Sequence, residues 1–340
     1  LFYKVTPSLT AAATINTDLS ATEVDERQVN LTRFSLFFPE KRDFFLQSAD
    51  IFEFSNLTFT GRPFFSRTIG LSASGEPVDL IAGAKLAGRV GRWNIGLLGV
   101  QQEEFEGVEE KSLIVARVSA NVLEQSTLGM IVTSGDPSAN NDNTLVGVDF
   151  NYKNTTLLKG QSLESRVWFQ ESDTPGLEGS DSAFGLNVAL PNDTIDARLG
   201  VVQFQENFNP AMGFISRTGF RAFDGHIRKR WRFENRALRR FDTRISTIYL
   251  TDTHGRLETA ALRLIPFLVE NHRGDKLSVE VIRRNELLVD NFEIIAGVTI
   301  PVGRYKFVRR RFIVSSSTSR PLAFSLRLEG GSFLTVKDWM

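Results

Sequence analysis

Short stretches of this chain alternate strictly between apolar and polar residues. Residues 112–120 (SLIVARVSA) place Ile114, Ala116, Val118 and Ala120 on one side, and Arg117 and Ser119 on the other. Residues 143–152 set Val146, Val148, Phe150 and Tyr152 against Gly147, Asp149 and Asn151. Residues 162–170 set Leu163, Val167 and Phe169 against Glu164, Arg166 and Gln170, and residues 183–190 repeat the pattern from Phe184 to Leu190. A strand turns successive side chains to opposite faces, so each stretch predicts a strand with one apolar and one wet side. Repeated along the chain with turn-rich breaks, the pattern predicts an all-β fold, a large antiparallel barrel with lipid outside and water inside.

No run of 18 uncharged apolar residues occurs, so a transmembrane helix is excluded, whereas barrel strands need only short alternating segments. Cys is absent, which removes disulfides, thiol catalysis and Cys-ligated metals. The formal net charge is zero but unevenly spread. Residues 1–200 hold 16 Lys and Arg against 26 Asp and Glu, a balance of −10, and residues 201–320 hold 22 against 12, a balance of +10. That asymmetry predicts a basic interior wall facing an acidic wall or plug.

The alternation predicts about eighteen strands, at 5–17, 63–72, 80–91, 92–101, 112–120, 126–133, 143–152, 162–170, 182–190, 194–205, 213–222, 226–234, 240–251, 256–269, 276–285, 291–300, 304–316 and 320–330. Short turns near 91–92, 121–125, 154–160 and 191–193 alternate with long polar loops at 102–111, 134–143 and 171–181. Outer-membrane barrels pair short periplasmic turns with long external loops, so the acidic loops are expected outside. Segment 18–56 breaks the pattern. Residues 21–33 suit a short helix, and Phe34, Leu36, Phe37 and Phe38 form an aromatic cluster that ends at Pro39. The quartet Glu40, Lys41, Arg42 and Asp43 follows, and then Phe44, Phe45 and Leu46. A connection of this length has to pack on something. It is expected inside the barrel or across one mouth, as a plug, with Phe37, Phe38, Phe44 and Phe45 buried.

The stretch FYKVTPSLTAAATINTDLSATEVDERQVNLTRFSLFFPEKRDFFLQSADIFEF, followed by PFFSRTIGL (63–71), GAKLAGRVGRWNIGLLGVQ (83–101) and NFNPAMGFISRTGF (207–220), resembles a family of bacterial outer-membrane β-barrel proteins, the domain of unknown function 5916. The resemblance implies an outer-membrane location and supplies no reaction. Members usually carry an N-terminal domain similar to family 9 carbohydrate-binding modules, and a barrel of this kind usually ends on a strand with a terminal aromatic residue. Neither that domain, a signal peptide nor such a last strand is present in this sequence, so the chain is expected to be part of a longer protein.

Candidate chemistry is sparse. His226, His254 and His272 have no metal spacing. Asp252, Thr253 and His254 fall in a turn, with Ser246 on a neighbouring strand, but sequence cannot bring a nucleophile within reach of a base. The loops resemble no complete calcium motif. No catalytic residue, metal or cofactor is therefore assigned. The strand HIRKRWRFE (226–234) says more. It aligns Arg228, Arg230 and Arg232 on one face, with Ile227, Trp231 and Phe233 on the other, and Arg309, Arg310 and Arg311 add to the basic field. An Arg ladder is rarely tolerated against lipid, so it should face inward. Two readings stay open. The ladder pairs with segment carboxylates, in a network of Glu23, Asp25, Glu26, Arg27, Arg33, Glu40, Lys41, Arg42, Asp43, Arg228, Arg230 and Arg232. Alternatively, it attracts anions or phosphorylated lipid headgroups.

The expectation is one outer-membrane β-barrel domain over 1–340, a pore or membrane scaffold, with 18–56 as a plug or lid within it. Its expected partners are outer-membrane lipid, a glycan or an anionic small molecule, and other subunits of a surface complex. Nucleic acid is not expected. The alternatives are a barrel hydrolase acting on lipid or glycan, and a structural subunit of a surface complex.

Overall fold

A computed structural model describes residues 1–17, 39–58, 60–158, 160–234, 237–288, 291–295 and 298–332. The chain is all-β. Its strands are β1 (Phe2–Thr6), β2 (Leu9–Thr17), β3 (Leu80–Val90), β4 (Trp93–Gln102), β5 (Lys111–Val122), β6 (Ser126–Ser134), β7 (Thr144–Leu158), β8 (Gln161–Asp173), β9 (Ser182–Pro191), β10 (Ile195–Phe204), β11 (Phe220–Arg232), β12 (Arg240–Asp252), β13 (Leu257–Glu270), β14 (Lys276–Leu288), β15 (Phe292–Ile295), β16 (Val298–Ile300), β17 (Gly303–Ser315) and β18 (Ser325–Gly331). Sixteen of them form one antiparallel sheet in chain order, from β1 to β14 and on through β17 to β18, while β15 and β16 make a separate hairpin. Among the described residues no ladder joins β1 to β18, so the sheet is open where a closed barrel was expected. No helix among them is long and apolar enough to cross a membrane.

Among the described residues the strand count of eighteen matches the expectation through compensating differences. Stretch 5–17 is a hairpin, split at the Pro7–Ser8 turn into β1 and β2. Stretch 63–72 is not a strand. Its apolar run reports burial, with Phe64, Phe65 and Ile69 packed away from solvent around a 3-10 turn at Ser66–Thr68. The two strands expected at 213–222 and 226–234 are one, β11, which starts after Gly219 at a positive φ of 71°. The stretch 291–300 is the β15–β16 hairpin. Connections alternate as expected over the first half, where 91–92, 123–125, 159–160 and 192–194 are short and 103–110, 135–143 and 174–181 are long; the long connection 205–219 was not expected, since 213–222 reads as a strand. At the first short turn Gly91 adopts a φ of 60°, which L side chains disfavour.

The chain divides into two compact units. One comprises Leu1–Asn154, Arg166–Leu186 and Gln203–Gly219, and the other Thr155–Ser165, Asn187–Val202 and Phe220–Met340. In the first unit the expected facing is observed. Val146 and Val148 are exposed, the latter by 45%, Phe150 is half-buried on the same side, and Asp149 on the opposite side is 2% exposed. Ile114, Val118, Leu128, Met130 and Leu97 continue the exposed apolar side across β4–β6. In the second unit Phe223, Ile227 and Trp231 of β11 and Ile245 and Tyr249 of β12 are likewise exposed.

Candidate functional site: the polar faces of the sheet

In the first unit, residues 39–79 lie on the polar side of the strands, opposite the exposed apolar side. Glycines on that side make the room. A Cβ at Gly96 would meet the Phe52 ring at 2.9 Å and Ile51 at 3.1 Å, one at Gly147 the Phe54 ring at 3.0 Å, and one at Gly83 the Phe44 ring at 3.3 Å. Each aromatic side chain therefore rests against strand backbone, and its full burial is worth about 1.5–3 kcal/mol. The cluster continues from Phe54 to Trp168 at 6.4 Å, to Phe204 at 5.8 Å and to Phe208 at 5.9 Å between ring centres.

Polar side chains of the wall then fix the segment's backbone. Arg117 and Asp149 form a two-point ion pair at 2.6 and 3.1 Å, with side chains 4% and 1% exposed. The free capacity of Asp149 accepts the Ser55 N–H at 3.0 Å, and the Arg117 guanidinium lies 5.4 Å from the Phe54 ring centre. The Lys85 ammonium donates to the carbonyls of Phe44 and Gln47. Gln102 accepts from Gly70 N–H at 2.9 Å and donates to Pro137 O at 2.8 Å, and Gln170 donates to Gly61 O at 2.8 Å. Alternation had placed Arg117 and Asp149 on the wet face, but nothing in the sequence tied them to residue 55. Beside this contact lies a polar cavity of about 260 Å³, lined among others by Asp50, Ser55, Arg89, Asn94, Ser119 and Asn151.

The expected charge network divides. Glu23, Asp25, Glu26, Arg27 and Arg33, together with Phe37 and Phe38, lie outside the described residues. Glu40 and Arg42 pair with each other at 2.7 Å, both nearly buried. Arg42 also donates to Ser66 O and Ile69 O at 2.6 and 2.7 Å and covers the Phe45 ring at 4.3 Å, so this pair closes the segment on itself. Burial alone would raise the Glu40 carboxyl, but the hydrogen bonds and charge of Arg42 leave it below its usual range. Phe45 is buried and Phe44 half-buried, Lys41 is half-buried, and Asp43 is exposed at the start of the four-residue helix α1 (Asp43–Leu46).

In the second unit Arg228, Arg230 and Arg232 share the polar side of β11, as the alternation predicts, and draw their carboxylates from adjoining strands and turns. Arg230 makes a two-point bond to Asp242 of β12 at 2.8 and 3.0 Å and reaches Asp193, in the β9–β10 turn, at 2.8 Å. Arg232 binds the same Asp193 at 2.6 Å, and Arg228 lies 3.4 Å from Asp196. Hydrogen bonds from Arg232 and Arg230 hold the Asp193 carboxyl far below the usual carboxylate range. The pattern recurs across the strands: Glu270 takes Arg239 and Arg240, Glu280 takes Arg263 and Arg311, and Glu329 takes Arg309 and Arg311. Each carboxylate bridges two cations, which gives an alternating lattice of charge over the polar side.

The catalytic alternative meets a geometric test here. Ser246 stands in register with His226 across β11 and β12, and the His226 ring lies 3.3 Å from Asp196. The order is that of a Ser–His–Asp relay, yet Ser246 makes no side-chain hydrogen bond to the ring among the described residues, so the nucleophile–base contact that acyl transfer needs is not made. Nor does any group of His, Asp and Glu among the described residues gather to hold a metal ion.

No curated protein matches the chain. A family model matches residues 1–92, which span the β1–β2 hairpin, the segment packed on the wall and the first wall strand, β3. That N-terminal part of the chain is similar to the family described as a domain of unknown function, DUF5916.

Proposed function

We propose that the chain is a β-barrel of the bacterial outer membrane, a pore or membrane scaffold whose packed segment 39–79 acts as a plug. One observation carries the reading. The apolar side of β4–β7 is exposed and bears no Asp, Glu, Lys or Arg, while the charged residues of those strands turn to the other side. A water-exposed sheet face would be expected to carry charge, and an uncharged one of this extent calls for lipid. Closure is part of the proposal, because among the described residues β1 and β18 each present a free edge, and a membrane tolerates no open edge. The polar cavity beside Ser55, lined by amides and hydroxyls together with Asp50, Glu53, Arg89 and Arg117, supports a glycan-related small ligand as the cargo or anchor point.

Refolding into phosphatidylcholine vesicles tests the reading. The chain should become protected from added protease over its strands, and Val148→Arg should reduce insertion, since Arg on a lipid face costs roughly 2–4 kcal/mol at mid-membrane. Equal insertion of the two chains would refute the membrane assignment. Conductance across planar bilayers separates pore from scaffold.

A further inference from the structure

In the second unit, β14 and β17 carry charge on the side that is otherwise apolar. Register pairs Val281 with Arg310, Arg283 with Val308, Asn285 with Lys306 and Leu287 with Arg304. Glu280 and Arg311, paired in the same ladder, belong to the polar side, so Arg283, Arg304, Lys306 and Arg310 all point the other way, with Phe312. All four are exposed. None of their side chains has a hydrogen bond or ion pair among the described residues, whereas on the polar side of the same strands Arg284, Arg309 and Arg311 each hold a carboxylate. No Asp or Glu occupies the apolar side of β14, β17 or β18, where Leu326 and Leu328 continue it.

We infer that Arg283, Arg304, Lys306 and Arg310 form a docking site for the phosphate of an anionic lipid headgroup, at the border of the proposed membrane face. The inference rests on that membrane reading and goes beyond it. Alternate residues on a strand stand about 6–7 Å apart and the paired strand lies about 5 Å away, so Arg283, across from Val308, stands about 8 Å from both Lys306 and Arg310, close enough for their long side chains to meet one headgroup, with Arg304 about 6–7 Å beyond Lys306. Their long side chains can lie along apolar surface and carry the charge to the interface. There an Arg fork meets phosphate oxygens at two points, which a zwitterionic headgroup satisfies less well. An intramolecular role would have placed carboxylates beside them, as on the opposite side of the same strands.

The full chain is refolded into phosphatidylcholine vesicles with and without a minor share of phosphatidic acid, and the lipid retained after mild detergent extraction is counted by native mass spectrometry. Phosphatidic acid should be enriched over phosphatidylcholine. The enrichment should fall roughly tenfold or more in the variant carrying Arg283→Gln, Arg304→Gln, Lys306→Gln and Arg310→Gln, and similarly in about 0.5 M salt. If that variant does not fold, the pair Arg304→Gln and Lys306→Gln at the strand end serves, with a smaller loss. Wild-type chain that fails to enter phosphatidylcholine overturns the membrane reading. Normal entry with no enrichment, or with enrichment unchanged in the variants, overturns the headgroup site alone.

Discussion

Asp149→Ala is the sharpest perturbation of the contact between segment and wall. The Asp149 side chain is 1% exposed and that of Arg117 4%, so the substitution leaves a nearly buried guanidinium with no counter-charge. Removing one partner of a buried pair costs about 3–5 kcal/mol. The Ser55 N–H, which donates to Asp149 at 3.0 Å, loses its acceptor as well, a further penalty of about 1–3 kcal/mol that overlaps the first. A working value of about 4 kcal/mol corresponds to a shift near 10³-fold in the equilibrium for releasing the segment. Trypsin cleavage at Arg62 and Arg67 reads that release, with amide exchange at Ser55 as a second probe. Both should accelerate by a comparable factor while the strands stay protected. Replacing both partners by leucine should recover most of the loss, because the stranded charge is then gone too. A change under about 1 kcal/mol for Asp149→Ala, or a double variant worse than the single, would show that the ion pair does not hold the segment.

Gly96→Val should destabilise by about 1–3 kcal/mol in urea unfolding, since its Cβ would overlap Phe52 at 2.9 Å, and an unchanged midpoint would mean that the segment does not rest on β4. The folded Asp193 carboxyl lies below its unfolded value, so its contribution is present above about pH 4 and is lost as pH falls through the folded value; Asp193→Asn should flatten the acid limb of the stability profile, and an identical profile would remove that carboxylate from the lattice. Arg230→Gln should speed amide exchange along β11 and β12 by breaking its bonds to Asp242 while leaving cleavage at Arg62 and Arg67 unchanged; faster cleavage there would instead tie the Arg ladder to the packed segment 39–79.

Alternation made the facing of Val146, Val148 and Asp149 legible, because a period of two admits two assignments and burial selects one. Strand number was less secure, since an apolar run such as PFFSRTIGL reports burial and not backbone conformation. The Arg ladder was legible as a shared face, but its partners were not. Asp193 and Asp242 lie 37 and 12 residues from Arg230, and their proximity is a matter of register, which charge totals do not contain. The same limit applied to Lys85, Gln102 and Gln170: each sits at an ordinary wet position of a strand, and its role appears once the segment's backbone is in place, carbonyls for Lys85 and Gln170 and the Gly70 N–H for Gln102. The patch on β14 and β17 was half-visible. VRRRF showed the density of charge, whereas the separation of Arg310 from Arg309 and Arg311 depends on the pleat.

The matched region 1–92 contains only part of what the segment needs. Within it, β3 supplies Gly83 beneath Phe44, Lys85 for the carbonyls of Phe44 and Gln47, and Arg89 for Asp50 at 2.6 Å. Outside it lie Gly96 beneath Phe52, Gly147 beneath Phe54 and the Arg117–Asp149 pair that holds Ser55. A chain ending at Arg92 would expose both rings, forfeiting about 3–6 kcal/mol of burial, a large fraction of the 5–15 kcal/mol that stabilises a typical domain. Three strands with no complete apolar partner are themselves marginal in water. The fragment 1–92 should therefore lack a cooperative unfolding transition and show fast amide exchange at Phe52 and Phe54, while a fragment extended through β8 should protect both. Cooperative folding of 1–92 by itself would mean that β3 suffices to seat the segment and that the glycines of β4 and β7 accommodate it without stabilising it.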